Sequence, residues 1–254
     1  MIILLSPAKS LDYDSSYPQV TKSTISFPEK TQKLVEYLKE MDSSALQSLM
    51  HISPKIADLN QLRYAQYEFP FPSDQSRPCI FAFTGDVYKG LDPQSLSSSV
   101  LTELNSTVRI LSGLYGVLKP FDSMYPYRLE MGTRMAVGSH KNLYQFWGDD
   151  IANSIQKDLD VQENPFVLNL ASKEYSKAVN FKALSAPVIQ VDFKEWRKDV
   201  LKVISFSAKK ARGRMARLIL EEGITDLEGL KTLNVHDYLY SEELSKSNHL
   251  VFVK

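Results

Sequence analysis

The run Arg109-Ile-Leu-Ser-Gly-Leu-Tyr-Gly-Val-Leu-Lys-Pro-Phe-Asp-Ser-Met-Tyr-Pro-Tyr-Arg-Leu-Glu-Met-Gly-Thr-Arg134 decides how the fold is read. Its apolar start, Arg109 to Leu111, stops at Ser112-Gly113 and Gly116, so a buried strand is expected to end in a tight turn with backbone N–H groups facing outward. Lys119, Arg128 and Arg134 are then interleaved with Tyr115, Phe121, Tyr125 and Tyr127, with Asp122 and Glu130 among them. The steps Lys119-Pro120 and Tyr125-Pro126 hold the backbone extended and reduce the entropy lost on ordering it. Cations beside aromatic faces and free backbone donors suit a partner that carries phosphates and bases. The same residues also allow a plainer reading, a rigid loop whose aromatics are core and whose arginines pair with its acids.

Working outward, other short apolar runs end alike. Ile2–Leu5 closes at Ser6-Pro7-Ala8-Lys9, Cys79–Phe83 at Thr84-Gly85-Asp86, and Phe166–Leu170 at Ala171-Ser172-Lys173. Val188–Phe193 and Leu201–Phe206 read as a strand pair closing at Ser205-Phe206-Ser207, and Leu250–Val253 as a last strand. Between them, apolar residues at helical spacing predict helices from Pro28 to Met41, Ser95 to Leu104, Trp147 to Leu159, and from Ser172 through Tyr175 and Val179. This pattern gives an α/β class (mixed α+β), one domain over residues 1–254, with a central mixed sheet flanked by helices. Small polar residues and lysines recurring at strand ends predict one shared polar cleft, because that edge of an open α/β sheet is where anions are held.

Two further elements carry charge. Asp42-Ser43-Ser44 opens a short helix and Ile52-Ser53-Pro54 breaks it before a second, so a helix-hairpin-helix-like unit is expected over about 43–67, with Lys55 in the first turn of its second helix. An ordinary helical hairpin stands beside that reading, since the break carries no glycine. From Val200 to Leu220 there is no acid, yet Lys202, Lys209, Lys210, Arg212, Arg214 and Arg217 fall there. A helix capped by Ser207 would bury Ala208, Ala211, Met215, Leu218 and Ile219 and cluster Lys210, Arg214 and Arg217 outside.

Composition bounds the partners. Lys plus Arg and Asp plus Glu are 30 each, so a nucleic-acid partner must be met by a local basic surface and not by overall charge. Cys79 is the single cysteine, which excludes an internal disulfide and fits a cytoplasmic protein. No segment reads as a signal peptide or membrane span, so no membrane is expected. His51, His140, His236 and His249 have no metal-ligand spacing, and no phosphate-binding or dinucleotide fingerprint appears, so neither metal nor cofactor is expected. Asp86 and Glu130 are the candidates for acid–base chemistry, with pairing to nearby Lys and Arg as the plainer role. Glu174 is a further acid of the same kind.

Ser112-Gly113-Leu114-Tyr115-Gly116-Val117-Leu118 followed by Pro126-Tyr127-Arg128-Leu129-Glu130-Met131-Gly132 resembles the signature of the bacterial peroxide stress protein YaaA family. Ser6-Pro7-Ala8-Lys9, Gly85-Asp86-Val87-Tyr88, Leu143-Tyr144-Gln145-Phe146-Trp147-Gly148, Asn169-Leu170-Ala171-Ser172 and Ala208-Lys209-Lys210-Ala211-Arg212-Gly213 extend the likeness in order. The resemblance implies a cytosolic protein that binds DNA and limits iron-driven oxidative damage under peroxide. Two readings follow. In the first, Lys9, Lys55, Arg128, Lys173, Lys209, Lys210, Arg212, Arg214 and Arg217 meet phosphates of duplex or distorted, partly unpaired DNA, while Tyr115 or Tyr127 stacks on an unpaired base. In the second, an enzyme acts on a nucleotide or nucleic-acid base with Glu130 or Asp86 in the same cleft. No obligate protein partner is indicated.

Overall fold

The computed structural model describes residues 1–254. In chain order its elements are β1 (Ile2–Leu5), α1 (Pro28–Lys39), α2 (Ser43–Met50), α3 (Pro54–Ala65), β2 (Arg77–Pro78), α4 (Cys79–Ala82), α5 (Asp86–Leu91), α6 (Ser98–Thr107), β3 (Val108–Ser112), β4 (Gly116–Leu118) and β5 (Ser123–Met124). Then come α7 (Leu143–Trp147), α8 (Asp150–Leu159), β6 (Val167–Asn169), α9 (Lys173–Ser176), β7 (Val188–Arg197), β8 (Val200–Lys202), α10 (Ser205–Glu222), α11 (Leu227–Lys231), β9 (Leu239–Tyr240) and β10 (His249–Val253).

An eight-stranded mixed sheet runs in the order β4-β3-β1-β6-β7-β10-β9, with β8 paired to β7 beyond that path. Strands β3, β1, β6, β7 and β10 are mutually parallel, and β4, β8 and β9 are antiparallel to their neighbours. The interior strand β1 is buried along its whole length, as expected for a strand covered by helices on both faces. Strand β7 instead alternates buried and half-buried residues, covering one face fully and the other in part. The sheet carries one continuous hydrophobic core, in which Trp147, Tyr64, Tyr115, Phe81, Phe193 and Phe252 are the bulky members.

Connectivity places a crevice. The chain leaves β1 towards β3 and leaves β6 towards β7, so the two central parallel neighbours send their crossovers to opposite sides. In open α/β sheets the gap outside the carboxyl ends of such a pair is where ligands enter. Ser6 to Lys9 and Leu170 to Lys173 occupy it, with Ser112-Gly113 at the end of β3 next to them.

Several local expectations are corrected. Cys79–Phe83 is not a strand: Cys79–Ala82 form a helical turn, and only Phe83 makes a bridge, to Leu11. A four-residue apolar run fits either state, and here the N–H groups of Cys79 and Ile80 bond the carbonyls of Asp122 and Pro120 instead of a sheet neighbour. Strand β8 stops at Lys202 and α10 begins at Ser205, before the expected cap at Ser207, with Ala208 N–H bonded to the Ile204 carbonyl. The expected helix from Trp147 to Leu159 is two helices, parted at Gly148, whose φ of 51° ends α7. Residues Ser43 to Ala65 do form a helical hairpin, with His51 at φ 52° in the left-handed turn position where a glycine is commoner.

Candidate functional site

The loop after β5 is laid against the carboxyl end of β3 by one close approach. Gly113 lies so near the loop that a Cβ there would stand 2.3 Å from the Leu129 carbonyl oxygen, so no larger residue fits. On the other side, a Cβ at Gly85 would come within 2.8 Å of Ala8 Cβ, which brings the start of α5 to the same edge.

Hydrogen bonds then fix the site's floor. The Ser6 hydroxyl oxygen accepts the Ser172 N–H at 2.8 Å, tying the end of β1 to the end of β6, and the Tyr88 hydroxyl donates to the Ser6 carbonyl at 3.0 Å. Asn169 donates through its amide to Gln190 at 2.6 Å and accepts the Ala171 N–H at 3.0 Å. The Tyr127 and Ser112 hydroxyls are 2.6 Å apart, and Tyr64 of α3 donates its hydroxyl to the Arg128 carbonyl. The loop is therefore held by β3, by α3 and by its own turn.

On this floor stands a charged trio. Glu130 Oε1 accepts from Arg128 Nη2 at 3.0 Å and from Lys9 Nζ at 2.9 Å. Lys9 keeps 62% of its side chain exposed, whereas Arg128 keeps 17%, and the Arg128 Nε–H is buried with no partner. Lys173 is exposed at the start of α9, where the Gly132 N–H donates to Glu174 Oε1 at 2.9 Å. Burial, with Tyr127, Glu174 and Glu130 nearby, pushes the Tyr175 hydroxyl well above its ordinary value, so it stays protonated. The cavity between Pro7, Lys9, Tyr127, Glu130 and Tyr175 is about 10 Å³, room for a single water and not for a nucleobase.

The remaining candidates are distributed as follows. Tyr115 is fully buried with its hydroxyl donating to the Tyr125 carbonyl at 2.8 Å, and Tyr127 is only 6% exposed. Neither ring can stack on a base from solution, because both are buried and their hydroxyls are hydrogen-bonded inside the protein. Asp86 is half-buried in the first turn of α5, at the cleft edge. Lys55 is exposed at the start of α3, about 13 Å along the helix from Tyr64, so it stands away from the loop that Tyr64 holds.

Helix α10 divides its cations. A Cβ on Gly213 would fall 1.7 Å from the Val87 carbonyl oxygen, and one on Gly90 2.1 Å from the Lys210 carbonyl, so α5 and α10 touch backbone to backbone. Arg217 reaches across that contact to the carbonyls of Leu91 at 3.1 Å and Asp92 at 3.0 Å and to Glu221 at 2.8 Å, closing the end of α5. Arg212 is mostly buried, which lowers its pKa, with Asp192 opposing the shift. Lys209 and Lys210 are exposed. Burial, then Lys210, Arg214 and Lys254 lower the pKa of His236, which gathers those cations around it. Lys9, Arg128 and Lys173 stand at the ends of β1, β3 and β6, while Lys210, Arg214 and Lys254 stand about His236.

No group of three His, Cys, Asp or Glu side chains comes together in metal-binding geometry. Cys79 is buried, donates to the carbonyls of Lys119 at 3.1 Å and Pro120 at 3.3 Å, and has its thiol pushed well up by burial, which makes it a packing residue.

A family model described as peroxide stress protein YaaA matches residues 1–244. A UPF0246 protein of Alteromonas mediterranea is 46% identical over 254 residues, covering 100% of this chain and 98% of its own. A UPF0246 protein of Flavobacterium psychrophilum is 42% identical over 254 residues, covering 100% of both chains. One of Bordetella petrii is 45% identical over 252 residues, covering 99% of this chain and 98% of its own.

Proposed function

The chain belongs to the peroxide stress protein YaaA family, and from that premise we propose that it is a DNA-binding protein of the peroxide response, protecting against iron-driven oxidative damage. It holds DNA through phosphate contacts at the strand-end crevice. The observation that carries this reading is the convergence of Lys9, Arg128 and Lys173 at the carboxyl ends of β1, β3 and β6, where the crossovers part. Lys9 is exposed enough to leave Glu130 for a phosphate, and Lys173 is exposed and makes no ion pair. Arg128 adds its positive charge beneath them, its side chain mostly buried. A cavity with room for one water favours contact along a backbone over engulfing a base. Lys55 and the α3 N-terminus offer a secondary phosphate contact away from the crevice.

The test is titration of a short DNA duplex at several salt concentrations with the wild type and the Lys9→Ala, Lys173→Ala double variant. Each lost phosphate contact removes about one from the slope of log affinity against log salt, so the double variant should lose about two. Both substitutions remove exposed side chains, and thermal melting should show the fold intact. An unchanged slope would remove the crevice from the interface, and a wild type that binds no DNA at low salt would end the reading.

A further inference from the structure

We propose that the hairpin of β7 and β8 is a stacking wedge, in which Trp196, flanked by Arg197, Lys198 and Lys202, takes an unpaired base of a DNA strand whose phosphates lie in the neighbouring crevice. This rests on the DNA-binding reading above and adds a second site to it.

The hairpin projects. Strand β7 last pairs with β6 at Gln190 opposite Asn169 and runs on to Arg197, seven residues or roughly 23 Å further at strand spacing. Strand β10 accompanies it to Lys194, Lys254 just after β10 bonds the Trp196 backbone, and beyond that the tip pairs with β8, Trp196 opposite Leu201 and Arg197 opposite Val200. Because β7 is parallel to β6, this projection rises from the same sheet edge that carries Ser172 and Lys173.

It is also rigid. Lys198 and Asp199 have φ of 49° and 59°, both left-handed, the two-residue turn whose twist matches paired strands. At the root, Glu195 is turned inward, accepting from the Tyr238 hydroxyl at 2.5 Å and from Arg197 at 2.5 Å, and the Trp196 N–H donates to the Lys254 carbonyl at 3.0 Å. Lys254 in turn lies over the Tyr238 ring at 4.8 Å. A wedge so held loses little entropy when it meets a base.

Its surface suits a base and a phosphate together. Trp196 is 58% exposed and Phe206, just beyond β8, 64%, with Val200 and Val203 also exposed between them. Apolar and aromatic groups are not left in water at this density for stability. Arg197, paired with Glu195, and Lys198 and Lys202, which make no ion pair, are exposed around them, with Asp199 the one exposed acid. A second copy of the chain would set these cations against themselves, whereas a DNA strand offers the opposite charge and a flat ring to cover. Tyr115 and Tyr127 are buried, so Trp196 is the large aromatic that this edge presents to a base.

The experiment compares two probes, a fully paired duplex of about 20 base pairs and the same duplex with one 2-aminopurine bulged out. Trp147 is fully buried, so acrylamide quenching of tryptophan emission reads Trp196. The wild type should bind the bulged probe about tenfold more tightly, with Trp196 shielded and the aminopurine quenched. Trp196→Ala should keep the duplex affinity and lose the preference, and Trp196→Phe should restore most of it. Equal affinity of the wild type for both probes, or a preference surviving in Trp196→Ala, overturns the wedge while leaving DNA binding in place. Binding of neither probe removes the DNA reading itself. A wild-type dimer by sedimentation that Trp196→Ala dissolves, with unchanged DNA binding, identifies the hairpin as a self-association surface and also overturns the proposal.

Discussion

Glu130 holds two cations that differ in how much they need it. Lys9 is mostly exposed, and a pair of that kind is worth little, about 0–1 kcal/mol. Arg128 is mostly buried and already has one unpartnered N–H, so for it the carboxylate is the main acceptor. In Glu130→Gln the amide oxygen still accepts one of these bonds, and the fold should lose no more than about 1 kcal/mol in urea denaturation. With the negative charge gone, Lys9 and Arg128 are free for a phosphate. DNA affinity at low salt should rise several-fold and the salt slope steepen by about one. A large loss of affinity in a folded variant would show that Glu130 itself touches the ligand and would revive its role as an acid or base. The pairing of Arg128 with Glu130 was legible in the sequence, because they are two apart, whereas that of Lys9 with Glu130 joins distant parts of the chain and was not. The burial of Tyr115 and Tyr127 was not, since an amphipathic ring satisfies its hydroxyl equally well inside or at a surface.

Elements show the same boundary between local and distant information. The parallel strands β1, β3 and β6 and the helices α1 and α8 follow from runs and periods within a dozen residues. Cys79–Ala82 misled because four apolar residues carry no period, and the partners that make them helical lie some forty positions later, at Pro120 and Asp122. Arg217 is a sharper case. Helical spacing put it on the outer face with Lys210 and Arg214, yet it bonds Leu91 and Asp92, contacts spanning 126 and 125 positions. The backbone contact of α5 with α10 makes that reach possible, and it depends on Gly213 and Gly90. A methyl at Gly213 lands 1.7 Å from the Val87 carbonyl oxygen, which is backbone and cannot turn aside. Gly213→Ala should therefore force the helices apart and destabilise the protein by about 3 kcal/mol or more, against a gain of up to about 1 kcal/mol in helix propensity. Chemical denaturation measures it. A variant as stable as wild type would mean that the two helices have room to slide.

At the scale of the whole molecule, equal numbers of cations and acids leave no net field to draw DNA in, so binding must rest on where the cations are grouped. One group lies at the ends of β1 and β6. The other, Lys210 and Arg214 with Lys254, surrounds His236, and Arg214 is also 3.9 Å from Glu221, a separation at which the pair holds it only loosely. The Trp196 hairpin rises from β7, between β6 and β10 in the sheet order. If one DNA molecule spans both groups, contacts add, because each neutralised phosphate releases its own counterions whatever the location. Lys210→Ala with Arg214→Ala should then lower the salt slope by about two on top of the loss from Lys9→Ala and Lys173→Ala, without altering sequence preference. If the helix face is merely solvated, the slope should not move beyond the loss of diffuse attraction and stability should change by only about 0.5 kcal/mol. A slope that responds to Lys9 and Lys173 alone would confine the interface to the crevice.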